Sequence, residues 1–296
     1  MSVELHKIWE IAKLSKGITI RELVSRICNE YGWKRGQVRL QTIKALREGY
    51  LRIIESNVDF EESVIEATDR SPPREQLEEE KAEVLKVPVK PKIVGNEVSI
   101  VATIPERLRS VCRDAVSYEE LYDAFSNLLC QANETVRLSL PFIEPNGIWI
   151  FLDDIVAALS KGVSFRILTR EIYEPQKSTA WVRKVQALMK LIELSRRYGP
   201  KGDEQIKIMD FHTTLVAKDF RYQFESSHAK ILIVDNNIAY VGSGEWRENS
   251  LFYNFEVGVV LRGPIVEELI RLYDIVWNHS KEVTYETLKS YVMPLP

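Results

Sequence analysis

The stretch His228-Ala-Lys230-Ile-Leu-Ile-Val-Asp235-Asn-Asn, followed by Ile238-Ala-Tyr-Val-Gly242-Ser243, limits the fold of this chain more than any other part. Two short apolar runs flank Asp235-Asn-Asn. Asn236 and Asn237 tolerate the positive φ of a tight hairpin, so the pattern predicts strand, turn, strand. His228 and Lys230, two apart on a strand, point to one face. An imidazole beside a fixed cation suits attack on a phosphodiester: the ring takes the phosphoryl group and the ammonium neutralises the oxyanion. A lone lysine in an apolar strand is costly to bury unpaired, which argues against a pair with no chemistry. Asp235 lies seven residues past His228, on the opposite face of a regular strand. It is expected to cap the strand before the turn rather than to touch the phosphate.

A chain of 296 residues is long enough for two domains and a sizeable core. The formal charge of −3 excludes a global basic field. The charge is uneven, however: residues 1–60 carry eleven basic against seven acidic side chains, and the remainder is acidic. Such asymmetry points to a polyanion-facing first domain. Cys28, Cys112 and Cys130 are scattered and form no C-x-x-C pair, so neither a zinc site nor a disulfide framework is expected. There is no apolar run of signal-peptide or membrane-spanning type. The expectation is a cytoplasmic protein with no membrane partner.

Residues 1–60 read as three helices and then a strand. Leu5, Ile8, Trp9 and Ala12 make one apolar stripe, and Leu23, Val24 and Ile27 a second. A third helix from about Gly36 to Glu48 turns Val38, Thr42, Ala45 and Leu46 inward, and Gly49 stops it. This order resembles a winged helix-turn-helix. Gln41, Lys44 and Arg47 then share the outward side of the third helix, where a recognition helix meets DNA. A protein–protein module is the alternative. Residues 61–103 read as a charged linker broken by Pro72-Pro73, Pro88 and Pro91, with a helical patch at Glu78-Glu79-Glu80 and a strand from Val98 to Ile104.

Residues 104–296 alternate between helix and strand. Strands are expected at Val136–Phe142, Val163–Thr169, Ile206–Met209 and Phe255–Leu261, with a closing helix from Val266 to Trp277. Near-continuous apolar strands alternating with helices predict an α/β fold: a mixed, largely parallel sheet with helices on both faces.

His228, Lys230, Asp235, Gly242 and Ser243 fall on the phospholipase D superfamily signature, H-x-K-x4-D-x6-G-S-x-N. Asn254-Phe255-Glu256 resembles the place where members carry a carboxylate that orients the catalytic histidine. The resemblance covers roughly residues 118–280. It implies a phospholipase D-like half-domain with His228, Lys230, Ser243, Glu256 and Asp235 as the catalytic set. One departure stands out. The family asparagine that helps bind phosphate is Glu245 here, and a carboxylate there repels phosphate. Either Asn249 takes over, Glu245 turns away, or the site is weakened. Arg247 is a further candidate for substrate binding, whereas Trp246 is read as packing. His212 and His279 are read as structural.

The chain holds no second copy of the full signature: its other H-x-K, His279-Ser280-Lys281, is followed by neither the Asp nor the Gly-Ser. The family reaction uses two imidazoles, and single-motif relatives form homodimers with one shared site. The resemblance therefore implies a homodimer in which two copies of His228 act as nucleophile and acid. It also implies a bell-shaped pH profile and no metal or other cofactor, two lysines standing in for a Lewis acid. With the first domain, the expected partner is DNA and the expected activity a nuclease. The alternatives are a DNA-binding regulator with a non-catalytic ligand domain, as in the TrmB family, and a phospholipid phosphodiesterase.

Overall fold

In a computed structural model, residues 5–57, 60–72, 95–174, 178–217 and 220–292 are described. The Glu78-Glu79-Glu80 patch lies outside them. The chain divides into two compact units, Met1–Lys92 and Ile93–Pro296.

The first unit runs α1 (Leu5–Ser15), β1 (Ile18–Thr19), α2 (Ile20–Tyr31), α3 (Arg35–Arg47), β2 (Leu51–Glu55) and β3 (Val64–Ala67). Its antiparallel sheet has the order β1-β3-β2. A capping box starts α2: Thr19 accepts from the Glu22 N–H, and the Glu22 carboxylate accepts from the Thr19 N–H. Gly32 closes α2 at φ 67°, a left-handed conformation that glycine adopts without strain. Ile8, Ala12, Leu23, Val24, Ile27 and Val38 form the core.

Arg39 does not contribute to a basic surface. It is 2% exposed, and its Nε and Nη2 each lie 2.9 Å from Glu61 Oε1. Of the residues expected on the outward side of α3, Arg47 is exposed, while Gln41 and Lys44 are half-buried.

The second unit starts with β4 (Glu97–Thr103), α4 (Glu106–Ala115), β5 (Glu119–Glu120), α5 (Leu121–Gln131) and β6 (Thr135–Ser139). Next come α6 (Pro145–Ile150), α7 (Leu152–Ser160), β7 (Ser164–Thr169), α8 (Thr179–Tyr198), β8 (Ile206–Asp210), β9 (His212–Ala217) and β10 (Phe220–Ser226). The chain continues through β11 (Lys230–Val234), β12 (Ile238–Gly242), α9 (Glu248–Phe252), β13 (Glu256–Arg262), α10 (Ile265–Asn278), β14 (Lys281–Val283) and α11 (Tyr285–Val292). Both units draw strands from the expected linker: β3 belongs to the first sheet and β4 to the second.

Nine strands form one mixed sheet in the order β14-β8-β7-β6-β11-β12-β13-β4-β5. This corrects the expectation of a largely parallel sheet. Only β6 with β7, β7 with β8, and β4 with β5 run parallel. The other five pairings are antiparallel. The apolar runs that looked parallel reflect burial on two faces instead. On one face, Ile231, Ile233 and Ala239 pack against Val266, Tyr273 and Trp277 of α10. On the other, the Tyr240 ring meets Phe125 of α5 edge-on, with centroids 4.8 Å apart. β9 and β10 make a separate hairpin that was not expected from the sequence. No described helix is long and apolar enough to cross a membrane.

The buried Arg39–Glu61 pair gives a test of the first unit. Glu61→Ala leaves the Arg39 charge without its main counter-ion, and a loss of about 3 kcal/mol or more is expected. Denaturant unfolding of the purified protein reads it.

Candidate active site

β11 begins at Lys230, so His228 lies just before the strand rather than on it. The segment carrying it is still fixed. The Ser227 N–H donates to the Phe211 carbonyl at 2.9 Å. The Ser139 hydroxyl donates to the Ala229 carbonyl at 3.0 Å and lies 2.9 Å from the Ser227 hydroxyl. His228 is exposed between these anchors.

Lys230 Nζ lies 3.0 Å from His228 Nδ1 and donates to the His228 carbonyl at 2.9 Å. An ammonium has no lone pair, so it is the donor and Nδ1 the acceptor. The positive charge of Lys230 is the main reason that the His228 pKa is lowered from 6.5; burial and Arg170 add to it. The Lys230 pKa is itself lowered, first by burial and then by Arg170, against the pull of Glu245 and Glu256.

Arg170 was not singled out in the sequence. It follows β7, is 9% exposed and bonds the Ser226 hydroxyl at 3.3 Å. Its guanidinium lies 5.0 Å from the Phe142 ring centroid. The buried Lys184 of α8 donates to the Arg170 carbonyl at 2.7 Å. Burial brings the Lys184 pKa down to about 8. The signal for Arg170 was its place: a charged residue directly after an apolar parallel strand, where crevices open in α/β sheets.

β12 and β13 deliver the other side of the site. The Ser243 hydroxyl donates to Glu256 Oε2 at 2.5 Å, and Asn254 Nδ2 donates to Glu256 Oε1 at 3.0 Å. Glu256 thus holds Ser243 and Asn254, and its hydrogen bonds do not go to His228 of the same chain. Gly242 is required by space: a Cβ there would strike the Tyr240 hydroxyl and the facing Gly258. The Tyr240 hydroxyl in turn accepts the Gly244 N–H at 2.9 Å.

Glu245 does not turn away into solvent. It is 5% exposed, and its Oε1 accepts the Phe142 N–H at 3.2 Å. Oε2 is 3.7 Å from Arg247 Nη1. Burial pushes the Glu245 carboxyl up from 4.5 to about 7, against the opposing pull of Lys230 and Arg247. Arg247 also bonds Glu144 at 3.2 Å. Asn249 is exposed on α9. Trp246 is fully buried against Phe151, as its packing role required.

Asp235 sits at the far end of β11 from His228. Its carboxylate accepts the N–H groups of Asn133, Glu134 and Thr135 at 3.1, 2.9 and 2.9 Å. Its own φ is 51°. It fastens the start of β6 to the hairpin turn and plays no part in the cluster around His228. His212 is buried, with Nε2 3.0 Å from the Thr214 hydroxyl and 3.6 Å from Glu174. His279 caps α10, its Nδ1 2.8 Å from the Ile275 carbonyl. Among the described residues, no group of three or more His, Cys, Asp or Glu side chains is placed to hold a metal ion.

An exposed imidazole, an ammonium against it and a serine–carboxylate pair lie on one mixed α/β sheet. Residues 125–277 match the family model described as cardiolipin synthase, PLD-like domain. The chain belongs to this phospholipase D-like family. It is 25% identical over 172 residues to a cardiolipin synthase of Alkalihalophilus pseudofirmus. That match covers 56% of this chain but only 28% of the relative. NucT from Helicobacter pylori is similar at 18% identity, with 64% of this chain and 100% of that one covered and a TM-score of 0.45. Phosphatidylserine synthase from Haemophilus influenzae is similar at 14% identity, with 67% and 42% covered and a TM-score of 0.47.

Two stability tests follow from these contacts. Asp235→Ala removes the acceptor of three N–H groups and is expected to cost about 2 kcal/mol or more in denaturant unfolding. Glu245 has its pKa raised on folding. Its contribution is therefore whole below about 4.5 and lost as pH rises through about 7. Glu245→Gln removes that loss. Relative to the native chain, the variant should gain up to about 3 kcal/mol between roughly pH 5 and pH 8. Unfolding at both pH values reads the difference.

Proposed function

We propose that this chain is a phosphodiesterase that cuts DNA as a homodimer through a phosphohistidine on His228. The observation that carries the reading is the exposed His228 ring with the Lys230 ammonium 3.0 Å from its Nδ1. The lowered pKa favours the neutral ring, the form that attacks.

The resting contact places the ring proton on Nε2, because Nδ1 accepts from Lys230. Substrate changes that. Lys230 leaves Nδ1 for a phosphate oxygen, the ring proton moves to Nδ1, and Nε2 carries the attacking lone pair. Nε2 bonds to phosphorus as the bond to the leaving oxygen breaks. His228 of the second copy, protonated, gives the leaving oxygen its proton. Water then attacks phosphorus, the phosphorus–nitrogen bond breaks, and the second His228 takes the proton of the water. Lys230 and Arg170 balance the developing oxyanion charge. In this reading two lysines do the work of a Lewis acid.

An uncovered apolar strip supports the homodimer. Val257 and Ile100 are 47% and 44% exposed, and Val98 is 58% exposed. By register they share the sheet face that carries Leu261, the face on which α10 packs. α10 leaves Leu272 and Ile275 exposed on that side. The strip starts at Val257, next to Glu256 in the chain but on the other face of the sheet, and a second copy seated there would bury it.

The first unit supports DNA as substrate. Its order of three helices and a three-stranded antiparallel sheet fits the winged helix-turn-helix reading. Gln41, Lys44 and Arg47 recur at helical spacing on α3. A tethered DNA-binding unit raises the local concentration of phosphodiesters. The second reading is phosphatidyl transfer on lipids, which the cardiolipin synthase relative favours.

The test is cleavage of single- and double-stranded oligonucleotides, and turnover of phospholipid vesicles, with excess chelator present. DNA cleavage is expected to persist in chelator and to fall at least about 100-fold in His228→Ala. Its pH profile is expected to be bell-shaped. Lipid turnover without DNA cleavage would move the assignment to the second reading. DNA binding with no cleavage under any condition would make the chain a regulator. Ile100→Glu is expected to give monomers in sedimentation and to lose cleavage with them; a fully active monomer would contradict the shared site.

A further inference from the structure

Glu245 occupies the position where the family signature has a phosphate-binding amide, and the structure buries it in the site instead of turning it out. The groups around it come from six places, Tyr240 of β12 among them. Lys230 lies on β11, Glu256 on β13 and Lys184 on α8, all electrostatically coupled to it. The Phe142 N–H donates to Oε1, and Arg247 faces Oε2. Oε1 is thus occupied as an acceptor, and Oε2 is the oxygen able to carry a proton.

We propose that Glu245 binds the substrate phosphate as a neutral carboxylic acid, donating its Oε2 proton to a phosphate oxygen in place of the family amide. This deepens the phosphodiesterase reading and rests on it. The two charge states have opposite effects. As a carboxylate, Glu245 offsets the charge of Lys230 and Arg247 and repels the phosphate oxygens. As an acid, it no longer offsets those cations and adds a hydrogen-bond donor. Binding of a phosphodiester therefore takes up a proton, and affinity and protonation are linked in both directions. Burial has already brought the carboxyl to about 7, so the proton is available near neutral pH.

The experiment measures binding of bis(para-nitrophenyl) phosphate by calorimetry, across the range from roughly pH 5 to pH 9. All proteins carry His228→Asn, which prevents turnover and removes the imidazole titration. The probe keeps one negative charge throughout. With Glu245 intact, affinity should fall about tenfold per pH unit above the carboxyl pKa, with one proton taken up per site. With Glu245→Gln added, affinity should be flat with pH and proton uptake absent. Glu245→Asn, which restores the signature residue, is the second variant and should behave alike. Equal pH dependence in all three proteins would overturn the role of Glu245 while leaving the phosphodiester site standing. Absence of binding by every variant at every pH would overturn the phosphodiesterase reading itself, and the proposal with it.

Discussion

The contact between the Lys230 ammonium and His228 Nδ1 organises this molecule's chemistry. A cation beside an imidazole opposes protonation of the ring, and Arg170 adds to the effect. Such a cluster of like charge is unfavourable without an anion. The fold maintains it by fixing the backbone on every side. Ser139 and Ser227 anchor the lead-in to β11, Lys184 holds the Arg170 carbonyl, and Asp235 ties the far end of the strand to β6. In the proposed reaction the anion is a phosphate group, and the arrangement is ready for one before it arrives.

The negative side of the site is divided between two carboxylates with different duties. Glu256 is fully engaged by Ser243 and Asn254, so it acts as a scaffold across the hairpin. Glu245 is held by one backbone N–H and one distant guanidinium, and burial penalises its charge. The carboxyl with fewer partners is the one whose proton is available for exchange. A substitution that looks damaging in the signature becomes intelligible once the side chain is neutral.

How much of this was legible in the sequence depended on the distance over which each feature is determined. The β11–β12 hairpin was legible because Asp235-Asn-Asn between two apolar runs is a local signal, and its register follows from the turn. The N-terminal helices were legible from their apolar stripes and from Gly49, which follows the C-cap of α3. Strand direction was not, because an apolar run reports burial on two faces and not the orientation of its neighbour. The β9–β10 hairpin was missed although its signal is local: Phe220, Tyr222 and Phe224 alternate with Arg221, Gln223 and Glu225. Arg39 looked like surface charge because its partner Glu61 lies 22 residues away in the chain. Arg170 and the burial of Glu245 were hidden for the same reason: both depend on elements brought together only by the sheet.

The central claim is that two copies share one reaction centre in which one His228 at a time becomes phosphorylated. Rapid quench of the dimer in alkaline denaturant with an end-labelled oligonucleotide, followed by mapping and quantification of the label, tests it most directly. The account predicts an acid-labile label on His228, reaching at most one phosphoryl group per two chains. A label on another residue, or one on every chain at once, would contradict it.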